Sequence, residues 1–243
     1  MIDPIEVLTR KLKEHSRLTG EDIAEFKKLT FQRRSLGANE DFIRQGDEPD
    51  VSALVLHGMV ARYHLLKNGR RQYLSFHIRG DMPDSQSLFL ERMDHAVCAV
   101  GEAELALVPH KQLFRLFENR PSAGFAIWRE TLIDASIFRE TITNNSGRTT
   151  RARMAHLFCE IFYRARSNGL VEGNSCSAPL SQTQIGEALG MAIATVSRTL
   201  QGLRRAKLIE FRSGELTIRD WKRLAAVGDF NPDYLHLKRP PRV

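Results

Sequence analysis

The chain has 243 residues, 42% hydrophobic and 27% charged, with a formal net charge of +7. That composition suits one large or two modest globular domains and excludes disorder, and no run approaches the roughly 18 consecutive apolar residues of a membrane helix. The charged start MIDPIEVLTRKLKEHSRL has no apolar leader centre, and Cys98, Cys159 and Cys176 fit neither a disulfide framework nor a CxxC metal site. The chain therefore reads as cytoplasmic.

Residues 4–14 and 20–29 look like short amphipathic helices, with Pro4 near a first turn and Thr19-Gly20-Glu21-Asp22 as a start signal. From Phe31 the texture changes to short apolar runs separated by Gly37, Gly46-Asp47, Gly58, Asn68-Gly69 and Gly80-Asp81. Asn68-Gly69 predicts a type I′ hairpin turn, followed by a strand burying Leu74, Phe76 and Ile78 and exposing Tyr73, Ser75 and His77. Further strands are expected at about 93–100 and 103–108, so residues 30–109 read as an all-β barrel or jelly roll.

After Val108-Pro109 the period becomes helical. A short helix fills 110–119, and residues 121–145 form a long one. Phe125, Trp128, Leu132 and Ala135 follow the 3-4-3 spacing of a paired helix. Ile127, Ile133, Ile137 and Phe138 place apolar groups on other faces, so this helix needs cover from more than one side. A two-fold pair through 121–145 supplies it; an ordinary monomer helix, interrupted at Arg139, is the alternative.

The charge is uneven. Residues 1–146 hold 20 Lys+Arg and 21 Asp+Glu, whereas residues 147–243 hold 16 and 8, a balance of +8. Inside this basic third, Ser181-x-x-Gln184 is a capping-box pattern and Ile185, Ala188 and Leu189 form an apolar stripe. Gly190 stands where a left-handed turn ends the helix, Gly186 where two helices cross closely, and Val196, Leu200 and Leu203 give a second helix its buried side. Together these predict a helix-turn-helix. The second helix exposes Thr195, Ser197, Arg198, Gln201, Arg204 and Arg205, donors suited to phosphates and, for Arg198, to a base edge. Residues 208–211 and 215–218, joined by Arg212-Ser213-Gly214, read as a two-stranded wing.

This order of parts resembles the family of the cyclic AMP receptor protein and the fumarate-nitrate reductase regulator, the Crp/Fnr family, over about residues 25–226. The likeness rests on Gly46…Gly58…Gly80-Asp81…Leu88-Phe89, on Arg153-Met154-Ala155, and on QIGEALGMAIATVSRTLQGL. It implies an α+β chain: an N-terminal cyclic-nucleotide-binding-like β-roll, a long dimerisation helix and a C-terminal winged helix-turn-helix. The corresponding segments are 1–119 for the sensor roll with its leading helices, 120–146 for the dimerisation helix, 147–226 for the DNA-binding domain and 227–243 for a tail. The resemblance implies a homodimer on a two-fold double-stranded DNA operator, with RNA polymerase as a further partner. Matching positions assign Ser181 and Thr183 to phosphates and Ile193, Ala194, Ser197 and Arg198 to bases.

Departures from the family pattern narrow the reading. Cyclic-AMP binders carry a Gly-Glu pair and then an Arg-Ser pair, where this chain has Asp84-Ser85 and Met93-Asp94, with Arg92 one residue away. Their polar adenine-facing positions become Phe138 and Arg139. A carboxylate repels a phosphate, so an effector other than cyclic AMP is expected, with Ser85, Arg92, Asp94, Phe138 and Arg139 as candidate contacts. An iron–sulfur cluster needs four thiolates, and residues 1–90 hold none. Haem ligation is disfavoured because His57, His64, His77 and His95 lack paired spacing; no cofactor or metal is expected. Cys176, in a polar loop, would sense redox state only if exposed. Ile193 and Ala194 replace an Arg and a Glu of the family, so they touch thymine methyls instead of making bidentate contacts. Ala192 replaces the usual Ser cap, a loss of about 1 kcal/mol. The competing functions are a cyclic-nucleotide-responsive activator and a cupin-like enzyme; the second needs a close His-x-His that this sequence lacks.

Overall fold

The computed structural model describes residues 2–238, 240 and 241. It divides into two compact units, one of residues up to 65 with 75–135, the other of 66–74 with 136 onward.

In the first unit, α1 (Pro4–Lys13) is capped by Asp3, whose carboxylate accepts the Ile5 amide, with Pro4 at the first turn. Helix α2 (Gly20–Phe26) opens on a reciprocal capping box between Thr19 and Asp22. The roll follows: β1 (Gln32–Leu36), β2 (Asp41–Ile43), β3 (Val51–His57), β4 (Val60–Leu65), β5 (Arg71–His77), a 3-10 turn (Ser85–Leu88), β6 (Ala96–Ala99) and β7 (Ala103–Pro109). These strands form two sheets, ordered β1-β7-β3 and β2-β6-β4-β5.

Strand β3 is buried on both sides. Ala53 and Val55 join Leu36, Val60, Val97 and Leu105 in one core, while Leu54 and Leu56 join Leu8, Leu12, Phe26, Leu113, Leu116 and Ile127 in another. The second core belongs to α1, α2, α3 (His110–Asn119) and the start of α4 (Pro121–Gly147), which cover the sheet as a helical layer. Along β5 and the residue after it, Tyr73, Ser75, Phe76, His77 and Ile78 are all buried, so the expected alternation fails, and the buried Ser75 and His77 share a hydrogen bond of 2.8 Å. The Asn68-Gly69 turn also departs from expectation. Only Gly69 has positive φ, and Leu66 exchanges bonds with Gly69 and Arg70, which makes a type I turn closed by a left-handed Gly. Asn68 instead uses its side-chain oxygen to accept the Arg70 amide.

The second unit holds the rest of α4, then α5 (Thr150–Ser167), β8 (Val171–Glu172), β9 (Ser175–Ser177), α6 (Gln182–Leu189), α7 (Ile193–Arg205), β10 (Ile209–Arg212), β11 (Glu215–Ile218) and α8 (Trp221–Gly228). The wing is four-stranded, β10-β11-β9-β8, instead of a lone hairpin. Strand β9 pairs with β11 and buries Cys176, whose thiol burial pushes up to about 12; it is an unreactive core group rather than a loop thiol.

Residues beyond 227, expected as a tail, begin with packed structure. A 3-10 turn (Pro232–Leu235) buries Leu235, and Phe230 sits among Tyr163, Trp221, His156 and Tyr234. The Tyr234 hydroxyl donates to Glu160 at 2.8 Å and lies 3.2 Å from His156 Nε2, and burial raises its ionisation far above the ordinary range.

Candidate nucleic-acid interface

Helix α6 starts on the expected capping box. Ser181 Oγ accepts the Gln184 amide at 3.1 Å, and Gln184 Oε1 accepts the Ser181 amide at 2.8 Å. Both Ser181 and Thr183 are exposed, and the Ser181 hydroxyl, which only accepts in the capping box, still has its proton to donate. The helix ends at Gly190, φ 64° and ψ 40°, the left-handed cap that only a residue without Cβ adopts cheaply. A Cβ on Gly186 would stand 2.7 Å from the Met191 carbonyl oxygen and 3.4 Å from Val196, so a glycine is what lets the turn close onto α6. The last carbonyls of α6 are met by side chains, Asn145 donating to Ala188 at 3.0 Å and Arg153 to Leu189 at 3.4 Å.

Helix α7 buries Val196, Leu200 and Leu203 and turns Ala194, Arg198, Gln201 and Arg205 outward at 4-3-4 spacing. Ile193 is also exposed at the first turn, while Thr195 and Ser197 are half-buried. Ala192 gives no side-chain cap, as the sequence anticipates. Arg198 has no ion-pair partner among the described residues and extends into solvent. Arg204 differs from the expected free donor. Its guanidinium donates to the Phe211 carbonyl of β10, and its buried Nε has no partner among the described residues, so it ties α7 to the wing. The wing turn places Ser213 and Gly214 both at positive φ, a type I′ hairpin that presents Arg212 and Ser213 at its tip. Part of the basic excess is spent internally, since Arg148 pairs with Glu140 at 2.7 Å and Asp229 at 3.1 Å.

The candidate effector contacts within the roll do not converge. Ser85 is buried, its hydroxyl donating to the Met82 carbonyl at 3.4 Å. Arg92 lies on the surface, paired with Glu48 at 2.8 Å, and Asp94 is exposed with Oδ1 on His95 Nδ1 at 2.8 Å. Phe138, half-buried, and Arg139, exposed, belong to the second unit.

The cation inside the roll is one the sequence reading missed. Arg62, on β4, is 1% exposed; its Nε donates to the Pro83 carbonyl at 2.6 Å, one terminal nitrogen to Gln86 Oε1 at 3.2 Å and the other to Asp134 of α4. Its signal was a lone arginine within the apolar run Val60-Ala61-Arg62-Tyr63. Beside it Asp84 is fully buried and accepts the Ala53 amide with both oxygens, at 2.9 and 3.1 Å. Burial pushes that carboxyl up to about 7, against the Ala53 bond and the charge of Arg62. On α4, Phe125, Trp128 and Leu132 are 62, 51 and 56% exposed, an apolar stripe open to solvent on a single chain, and Ile142 continues its spacing.

A roll with the architecture of cyclic-nucleotide-binding domains and a winged helix-turn-helix with an open recognition face define a DNA-binding regulator. Residues 33–120 match the cyclic nucleotide-binding domain model, and residues 152–227 match the Crp-like helix-turn-helix domain model. The chain belongs to the Crp/Fnr family of transcription regulators. It is 24% identical over 200 residues to the transcriptional activator protein FnrL of Cereibacter sphaeroides, covering 80% of this chain and 78% of the relative. It is 27% identical over 214 residues to the nitrogen fixation regulation protein FixK of Bradyrhizobium diazoefficiens, covering 87% and 88%. The solved structure of FixK2 from Bradyrhizobium japonicum superposes with a TM-score of 0.72 at 23% identity, covering 82% of this chain and 98% of that one. No helix among the described residues is long and apolar enough to cross a membrane.

Proposed function

We propose that the protein is a cytoplasmic homodimer that binds a two-fold DNA operator and acts without catalysis. The observation that carries the reading is the outward face of α7, where Ile193, Ala194, Ser197 and Arg198 occupy the first turns, with Ser181 and Thr183 exposed at the start of α6. Pairing through Phe125, Trp128, Leu132 and Ala135 would cover the open stripe of α4 and set two recognition helices on successive major-groove faces, roughly 34 Å apart. Phosphate contacts supply salt-dependent affinity, and Arg198 with Ser197 supplies part of the base reading. Regulation at a promoter brings the bound dimer beside RNA polymerase, the further partner in this reading. The names of the relatives, a transcriptional activator and a nitrogen fixation regulator, favour the same role.

Control passes through the roll by something other than cyclic AMP, since Arg92 is turned to Glu48 and Asp94 stands at the phosphate-gripping position. An iron–sulfur cluster has no place in this scheme, because the three thiols are buried at separate points of β6, α5 and β9. Selection of binding sites from random duplexes tests the reading. The expected result is an inverted repeat whose half-sites keep a guanine for Arg198 and differ beside it. Affinity that does not distinguish any duplex from heparin would overturn it. Titration calorimetry with cyclic AMP and cyclic GMP should give no heat of binding.

A further inference from the structure

We propose that Arg62 and Gln86 form a carboxylate receptor inside the roll, and that its resident ligand is the chain's own Asp134. The receptor is built for an anion. Arg62 is held from behind by the Pro83 carbonyl on Nε and by Gln86 Oε1 on one terminal nitrogen, which aims the other at the carboxylate. Gln86 is fixed in turn: its Nε2 lies 3.1 Å from His95 Nε2, and His95 Nδ1 lies 2.8 Å from Asp94 Oδ1. Burial, then the charge of Arg62, lowers the His95 pKa, so a neutral ring accepts from the Gln86 amide and donates to Asp94. The Arg62 side chain is 2% exposed and that of Asp134 22%, so the anion sits at the mouth of the receptor and the cation at its base.

The position of Asp134 gives the receptor its consequence. Ala123, Ile127, Glu130 and Asp134 recur along the side of α4 that meets the roll and its leading helices, where Glu130 bonds His15. Phe125, Trp128, Leu132 and Ala135 lie about 150° away at 100° per residue. The carboxylate therefore seats the helix whose other side is the pairing stripe. A compact carboxylate held from within does the work that a bound small effector does elsewhere, and operator binding by the wild-type chain needs no added ligand. This rests on the DNA-binding reading above, but the receptor is testable without DNA.

The experiment uses the full chain with Asp134→Ala, Asp134→Asn and the double variant Arg62→Met/Asp134→Ala. Thermal unfolding is followed in sodium acetate or formate against sodium chloride at matched ionic strength. Asp134→Ala should gain several degrees in acetate over chloride, while the wild type and the double variant gain nothing. In the same salts, Asp134→Ala should lose operator affinity about tenfold or more and recover it with acetate. An acetate response no larger than that to chloride overturns the receptor. Losing one partner of a buried pair can prevent folding, and Asp134→Asn covers that case by keeping volume and an acceptor oxygen while removing the charge. Its operator affinity should fall by a similar factor; wild-type affinity in Asp134→Asn overturns the proposal. If the wild-type chain binds no operator at all, the DNA reading fails, while the acetate shift still decides the receptor.

Discussion

Replacing Asp84 by Asn measures a pH-dependent penalty stored inside the roll. The carboxyl is fully buried, and burial raises it from the ordinary 3.8 to about 7, with the Ala53 amide and Arg62 pulling the other way. The folded chain therefore holds this proton more tightly than the unfolded one. The stabilisation is complete below about pH 4 and is lost as pH rises through about 7. At 1.36 kcal/mol per tenfold change in proton affinity, the move from 3.8 to about 7 bounds the whole effect at about 4 kcal/mol, of which roughly 2–3 kcal/mol falls between about pH 5 and 8. Asparagine cannot titrate and still offers an oxygen to the Ala53 amide, so the hydrogen bond survives the change. Urea unfolding of both proteins across that range isolates Asp84, because the buried His95 and the half-buried His110, both lowered first by desolvation, contribute equally to each. The wild type should lose stability relative to Asp84→Asn as pH rises. Parallel profiles would show that the carboxyl is charged in the fold and that the reasoning from burial is wrong.

Three other outcomes follow from the second unit and from α4. Arg198→Ala should weaken operator binding by about 1–3 kcal/mol and relax one base position, read by fluorescence anisotropy against single-substituted operators. Leu132→Asp places a charge in the middle of the exposed stripe and should convert the proposed dimer to monomers in sedimentation velocity, with the first unit still folded, because Leu132 is 56% exposed on a single chain. Gly186→Ala forces a Cβ to within 2.7 Å of the Met191 oxygen and should destabilise the second unit by about 1–3 kcal/mol in thermal unfolding. A variant of wild-type stability would mean that the turn relaxes freely.

The helix-turn-helix could be read from the chain because its determinants are local. The Ser181–Gln184 box, Gly186 and Gly190 each act within a few residues, and the structure places each in the expected geometry. The long helix was legible from its 3-4-3 spacing. What escaped depends on partners far away in sequence. Nothing near Arg62 tells that Asp134, 72 residues on, will meet it, and Arg204 looks like a surface donor until β10 supplies the Phe211 carbonyl. The period-2 rule failed at β5 because Tyr73, Ser75 and His77 are buried along with Phe76 and Ile78, and β9 joined the wing through a pairing with β11 that no local turn signals. Arg92 was placed by analogy with a phosphate grip, and Glu48 holds it at the surface instead.

Helix α4 runs unbroken from Pro121 to Gly147, so the side that meets the roll and the proposed pairing stripe share one rod. A rigid rod cannot turn one side without turning the other, so sliding or twisting to suit the roll re-aims Trp128 and Leu132 by the same angle. Substitutions at Ile127 or Asp134 and substitutions in the stripe should therefore compensate or aggravate one another although the side chains never touch. Such epistasis would pair positions by their angle around an axis instead of by proximity, and a contact map would miss it.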